Sequence, residues 1–106
     1  MKGFVAKYNR QPTVYASQGY DTAKLIGAAL KATGGKLDEN AFRAAMMKAD
    51  VKLTRGPFKF NRNHQPIHNT YVTEVDSRPD GSLYLKQIGI AAENAQDEFV
   101  GKCPMK

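Results

Sequence analysis

Apolar residues in the first half of the chain recur every three or four positions, and in the second half they alternate. Phe4, Val5 and Tyr8 stand at i, i+1 and i+4, which reads as the end of a helix over residues 1–8. Asn9-Arg10-Gln11-Pro12 breaks it, because the residue before a proline avoids the α region. Ala16, Tyr20, Ala23, Ile26 (or Gly27) and Leu30 then make one stripe, predicting a second helix from near Thr13 to about Thr33 with Tyr20 in its core face. Gly27, Ala28 and Ala29 keep its middle thin enough for another element to pack closely. Gly34-Gly35 offers the left-handed stop that ends many helices. Asp38 is a natural N-cap for a third helix, with Leu37 placed to pack on Phe42 as a hydrophobic staple. Phe42, Ala45, Met46 and Ala49 form its apolar face, where Met46 and Met47 read as core filler.

After Asp50 the period changes. Phe58 and Phe60 fall on one side of a strand with Lys59 on the other, and Asn61 to Pro66 is a polar turn. Tyr71 to Val75 is rich in β-formers, and Ser77-Arg78-Pro79-Asp80-Gly81 is a turn before the strand Leu83 to Ile88. The tail from Ala91 is weakly patterned, with one helical turn expected around Glu93 to Phe99. Two to three helices followed by an antiparallel meander read, taken alone, as α+β, with a helical segment at 1–55 and a hairpin, meander and tail at 56–106. The strands are too few and too polar on one face to close a core by themselves.

Length and charge narrow the classes. The 106 residues fit one compact domain at most, and a domain of that size buries roughly two-thirds of the surface its unfolded chain exposes. With 42% apolar and 25% charged residues the composition is that of an ordinary globular chain. The net charge of +6 invites a nucleic-acid reading. The lysines are scattered, however, and only Arg55, Lys59 and Arg62 cluster, without an RNA-binding or helix-turn-helix signature. No run approaches the roughly 18 apolar residues of a membrane helix. The start lacks the apolar core and cleavage site of a signal peptide, so the chain taken alone would stay in the cytoplasm. The single cysteine, Cys103, cannot form an internal disulfide, which suggests a partner outside this chain.

Most candidate chemistry dissolves on inspection. His64 and His68 have a ligand-like spacing, but Pro66 between them rules out a regular helix and no other ligand lies near; exposed turn histidines are the better account. Ser17, Asp21 and a histidine could be written as a triad, yet there is no nucleophile elbow, and Ser17 sits where hydroxyls satisfy first-turn N–H groups. Asp21 is expected to support the same turn through the helix dipole. Cys103 lies on a terminal segment, a poor frame for a nucleophile. Gly19 and Gly34-Gly35 form no phosphate loop, and nothing implies a cofactor. Tyr15 and Gln18 are different. Near a helix N-terminus, free N–H groups favour a carboxylate, and a ring beside them gives an apolar wall for a small acid. Tyr15 could equally be a packing residue.

The order Phe4-Val5-Ala6-Lys7-Tyr8, Pro12, Tyr15-Ala16, Gly19-Tyr20-Asp21, Ala28-Ala29-Leu30 and Gly34-Gly35 resembles the late helices of ABC-transporter solute-binding proteins. Arg55 to Asn61, Asn63-His64-Gln65-Pro66 and Tyr71 to Val75 resemble the hairpin that follows, and Cys103-Pro104-Met105-Lys106 is similar to the ends of many members. The subfamily is the type I periplasmic binding protein that carries branched-chain amino acids or aromatic acids. The resemblance implies an α/β parent of two lobes closing on a solute, of which this chain is a C-terminal fragment. Residues 1–55 would belong to the late first lobe and 56–106 to the end of the second. It also implies a cleft-facing Tyr15, Gln18 as a weaker contact, a periplasmic location, an ABC permease as the parent's partner, no enzymatic activity, and a disulfide from Cys103 to a cysteine outside this chain. Members are much longer, so a truncated product and a reading frame that lost its front both fit. Such a fragment could also pair with a second copy to cover its half core. The competing expectation is a small basic interaction module binding a protein or nucleic acid through the Arg55–Arg62 hairpin.

Overall fold

A computed structural model of the chain describes residues 2–103. They form two compact units that divide between Arg55 and Gly56.

The first unit is helical: α1 (Lys2–Tyr8), α2 (Val14–Ala32) and α3 (Glu39–Met47). Each end has a local cause. Asn9 closes α1 in the left-handed region, its N–H donating to the Val5 carbonyl at 2.8 Å. Thr13 is extended and its hydroxyl accepts from the Ala16 N–H, capping α2, which begins where the periodicity put it. At the other end Gly34 and Gly35 both take positive φ, and the Gly35 N–H returns to the Leu30 carbonyl at 2.8 Å. Asp38 caps α3 through the Ala41 N–H at 2.8 Å, but Leu37 beside it is 80% exposed, so no staple forms.

The buried phase of α2 is not the predicted stripe. Asp21, Leu25 and Ala29 are buried, with α2 packing on α3, whose half-buried residues include the predicted Phe42, Ala45 and Met46. Tyr20, placed in the core by its periodicity, is 59% exposed, and Ile26 is exposed as well. Within the thin middle of α2, a Cβ at Gly27 would meet nothing, whereas Ala29 is fully buried, so close packing occurs at Ala29 and not at Gly27. Periodicity finds an apolar face; it does not say which face a partner covers.

The second unit is a three-stranded antiparallel sheet in the order β1-β2-β3, with β1 at Phe58–Phe60, β2 at Pro66–Ser77 and β3 at Leu83–Ala95. Phe58 and Phe60 share a side and meet edge to face at 4.9 Å. β2 and β3 make a long ribbon with irregular register near Thr70 and Val72. β3 runs seven residues past Ile88, through the segment expected to hold a helical turn. Ala92 and Ala95 pair with Thr70 and His68, and Asn69 accepts from the Asn94 N–H at 3.0 Å. Pairing with β2 thus overrides the weak local preference of an alanine-rich tail. A 3-10 turn follows only at Val100–Lys102.

Candidate functional site

Tyr15 and Gln18 lie in the first turns of α2. The Ala16 and Ser17 N–H groups there are taken by Thr13, through its hydroxyl and its carbonyl. Tyr15 is 78% exposed and Gln18, three residues on, is exposed too. Residues three apart are neighbours on a helix surface, so the pair presents a phenol ring and an amide together near the positive end of the helix. The packing role weighed for Tyr15 is not realised within the first unit.

One turn further on, the polar chemistry turns inward. Asp21 is buried, and its two carboxylate oxygens accept from the Thr54 N–H at 2.9 Å and the Thr54 hydroxyl at 2.7 Å. The Ser17 hydroxyl is bonded to the Thr54 hydroxyl, and Lys24 Nζ donates to the Lys52 carbonyl at 2.5 Å. Ser17 and Asp21 therefore hold the 52–54 segment on α2 and do not serve the first turn as expected. Since Thr54 gives its proton to Asp21, Ser17 is the donor in their mutual bond. Thr54 was not singled out from the sequence, where 33 residues separate it from Asp21 and no pattern joins them.

This clasp lies beside a half-open groove of about 690 Å³ within the first unit. Phe4, Tyr8 and Tyr20 are among its lining residues, as are Lys7, Lys24 and Lys52, and no Asp or Glu is among the described residues that line it. Lys7 Nζ lies 5.4 Å from the Tyr8 ring centre and Lys24 Nζ 5.7 Å from that of Tyr20. Tyr15 and Gln18 are not among the lining residues.

In the second unit, the Asn61–Gln65 turn is tied to the tail. Asn61 bonds Gln96 at 3.0 Å, the buried Asn63 bonds Asp97 at 2.7 Å, and Arg62 donates to the Val100 carbonyl at 2.8 Å. Arg62 of the basic cluster thus has a structural partner. His64 occupies the turn with positive φ. His68 is not in a turn but on β2, its Nδ1 3.0 Å from the Asn69 carbonyl. No group of three His, Cys, Asp or Glu among the described residues is placed to hold a metal. Cys103 is free and exposed, and the Pro104-Met105-Lys106 part of its motif lies outside the described residues. At the hairpin tip the Ser77 N–H, then Lys86, hold the Asp76 carboxyl below its ordinary range; the Ser82 hydroxyl and N–H do the same for Asp80. Among the described residues no helix is long and apolar enough to cross a membrane.

Comparison with known proteins shows what the chain as a whole is similar to. The family model described as periplasmic binding protein matches residues 1–82. A solute-binding protein of an ABC transporter from R. palustris, solved in complex with benzoate, aligns at TM-score 0.82 and 36% identity, over 98% of this chain and 28% of its own. One from Rhodopseudomonas palustris BisB5, in complex with 3,4-dihydroxybenzoic acid, aligns at 0.78 and 32% identity, over 96% of this chain and 28% of its own. An ABC transporter substrate-binding protein from Sphaerobacter thermophilus shares the fold at TM-score 0.78 with 21% identity, over 88% of this chain and 26% of its own. No curated protein sequence matches. The chain spans little more than a quarter of the length of these structures.

Proposed function

The chain belongs to the periplasmic binding protein family, and on that premise we propose that it is part of a solute-binding protein capturing a small carboxylate for uptake by an ABC transporter. The observation that carries this reading is the 36% identity sustained over 98% of the chain with a benzoate-bound solute-binding protein. Two neighbours above 30% identity hold aromatic acids, so an aromatic carboxylate is the favoured solute and a branched-chain amino acid the second candidate.

Tyr15 and Gln18 supply the contacts from this chain. The exposed ring of Tyr15 offers a face to an aromatic or aliphatic body, and Gln18 offers an amide to a polar substituent. We assign residues 1–55 to the late part of the first lobe and 56–106 to the end of the second. Binding and lobe closure, not bond-making, are the mechanism, and the parent works outside the cytoplasmic membrane beside its permease. Exposed Cys103 is free to pair with a cysteine outside this chain in that oxidising compartment. The uncovered face of α2 also gives a second copy of the fragment somewhere to pack.

Calorimetric titration with benzoate, 3,4-dihydroxybenzoate and leucine tests the reading. Saturable heat for the aromatic acids, lost in Tyr15→Ala, supports it. Heat for leucine alone moves the solute to the amino acids. No heat from any acid, together with salt-sensitive polyanion binding that falls when Arg55, Lys59 and Arg62 are neutralised, favours the basic-module alternative.

A further inference from the structure

We propose that the first unit carries a docking surface for an anionic phospholipid bilayer, built on α1 and the middle of α2. The lysines are scattered along the sequence, yet charge is divided unequally between the units. Residues 1–55 hold ten Lys and Arg against four Asp and Glu, and residues 56–106 hold six of each, so the whole net charge of +6 belongs to the first unit. Three of its four acids are engaged within it. Asp21 is buried on Thr54, Asp38 caps α3 through the Ala41 N–H, and Glu39 pairs with Arg43 at 2.7 Å. An asymmetry of this kind favours a partner with a negative surface.

Part of that charge stands beside exposed rings. Lys7 Nζ lies over the ring of Tyr8, which is exposed, and just past α1 the Arg10 guanidinium carbon lies 5.8 Å from the ring centre of Phe4. On α2, Lys24 Nζ lies over the exposed Tyr20 ring while donating to the Lys52 carbonyl. Phe4, Lys7, Tyr8, Tyr20 and Lys24 border one groove, so the two helices present these pairs on the same side of the unit. A tyrosine suits the edge of a bilayer, with an apolar ring and a wet hydroxyl, and the cation beside it meets the headgroup phosphates. A bilayer fits this arrangement better than a polynucleotide. Single-stranded nucleic acid stacks its bases on open ring faces, and here each of the three rings has a cation of the chain over one face. Lysine, a point charge without the guanidinium fork, also suits a fluid array of headgroups more than a fixed phosphate geometry. The choice rests in part on the extracytoplasmic setting proposed above, and the calorimetric titration with acids tests that solute reading separately.

The test is co-sedimentation of the 106-residue chain with vesicles of phosphatidylcholine, either pure or carrying about one-third phosphatidylglycerol to give an anionic surface. The expected result is binding to the mixed vesicles that weakens as salt rises, and no binding to the pure ones. Lys7→Gln should lower the partition coefficient about fivefold, and Lys7→Gln with Arg10→Gln about 25-fold. Tyr20→Ser should weaken binding too, through a ring and not a charge. Lys59→Gln removes the same charge from the second unit and should leave binding nearly unchanged. An equal loss in Lys59→Gln and Lys7→Gln would overturn the proposal, because net charge alone would then explain the attraction. Equal binding to both vesicles, or release by inorganic phosphate at the same phosphate concentration, would overturn it as well. Tighter binding per phosphate to a single-stranded oligonucleotide would make the partner a nucleic acid and sink the lipid surface, while saturable heat with the acids would leave the solute reading standing.

Discussion

The two units solve the problem of covering apolar surface in opposite ways. The helical unit has a small true core: Leu25 and Ala29 are buried where α2 meets α3, and a buried carboxylate pins the 52–54 segment beside it. The ribbon of β2 and β3 has no buried apolar residue among those described, and Val75, Leu83 and Leu85 stand exposed at its tip. Val75 pairs with Leu85 and Ser77 with Leu83 on one face, while Asp76, Tyr84 and Lys86 occupy the other. A ribbon of this kind is marginal in water without something on its apolar face. The lesson is that regular hydrogen bonding builds an element, but only a covering surface stabilises it.

Hydrogen exchange checks the contrast directly, with slower exchange expected in α2 and α3 than in β2 and β3. Variants sharpen it. Leu25→Ala should be the most damaging, costing about 2–3 kcal/mol in urea denaturation because it opens a cavity in the only packed region described. Asp21→Ala should follow at about 1–3 kcal/mol, since it strands the Thr54 N–H and hydroxyl without an acceptor. If Asp21→Ala proves neutral, the clasp contributes nothing and the helical unit is held by α2 and α3 alone.

The ribbon unit should respond elsewhere. Gly56 has φ +95° and a Cβ built on it would lie 2.6 Å from the Tyr71 hydroxyl oxygen. Gly56→Ala should then cost about 1–2 kcal/mol from the backbone alone, with further loss if Tyr71 cannot move. The smallest effect is a pH dependence. The Asp76 and Asp80 carboxyls titrate below 3.8 when folded, so their contribution is complete above that value and is lost as the pH falls through the folded range. The acid limb of ribbon stability, followed by β-strand amide shifts, should flatten in Asp76→Asn. An unchanged limb would mean that the ion pairs with Lys86 are only surface decoration.

Much of the local structure was legible in the residues. Asp38 caps its helix because a short side-chain oxygen satisfies an N–H group three residues on, and Gly34 and Gly35 stop α2 because they tolerate positive φ. Phe58, Lys59 and Phe60 alternate as a strand requires, and the order of the late helices and hairpin sufficed to indicate the family. These are contacts within a few residues, or patterns that a whole family repeats. The phase of α2, the clasp of Asp21 on Thr54, the exposure of Leu37 and Tyr20, and the extension of β3 to Ala95 were not legible. Each depends on a partner far along the chain: α3 chooses which face of α2 is dry, Thr54 turns Asp21 from a helix-end charge into a buried acceptor, and β2 draws an alanine-rich tail into the sheet. Short-range chemistry is written residue by residue, whereas burial is a property of two surfaces, and only the folded chain says which two meet.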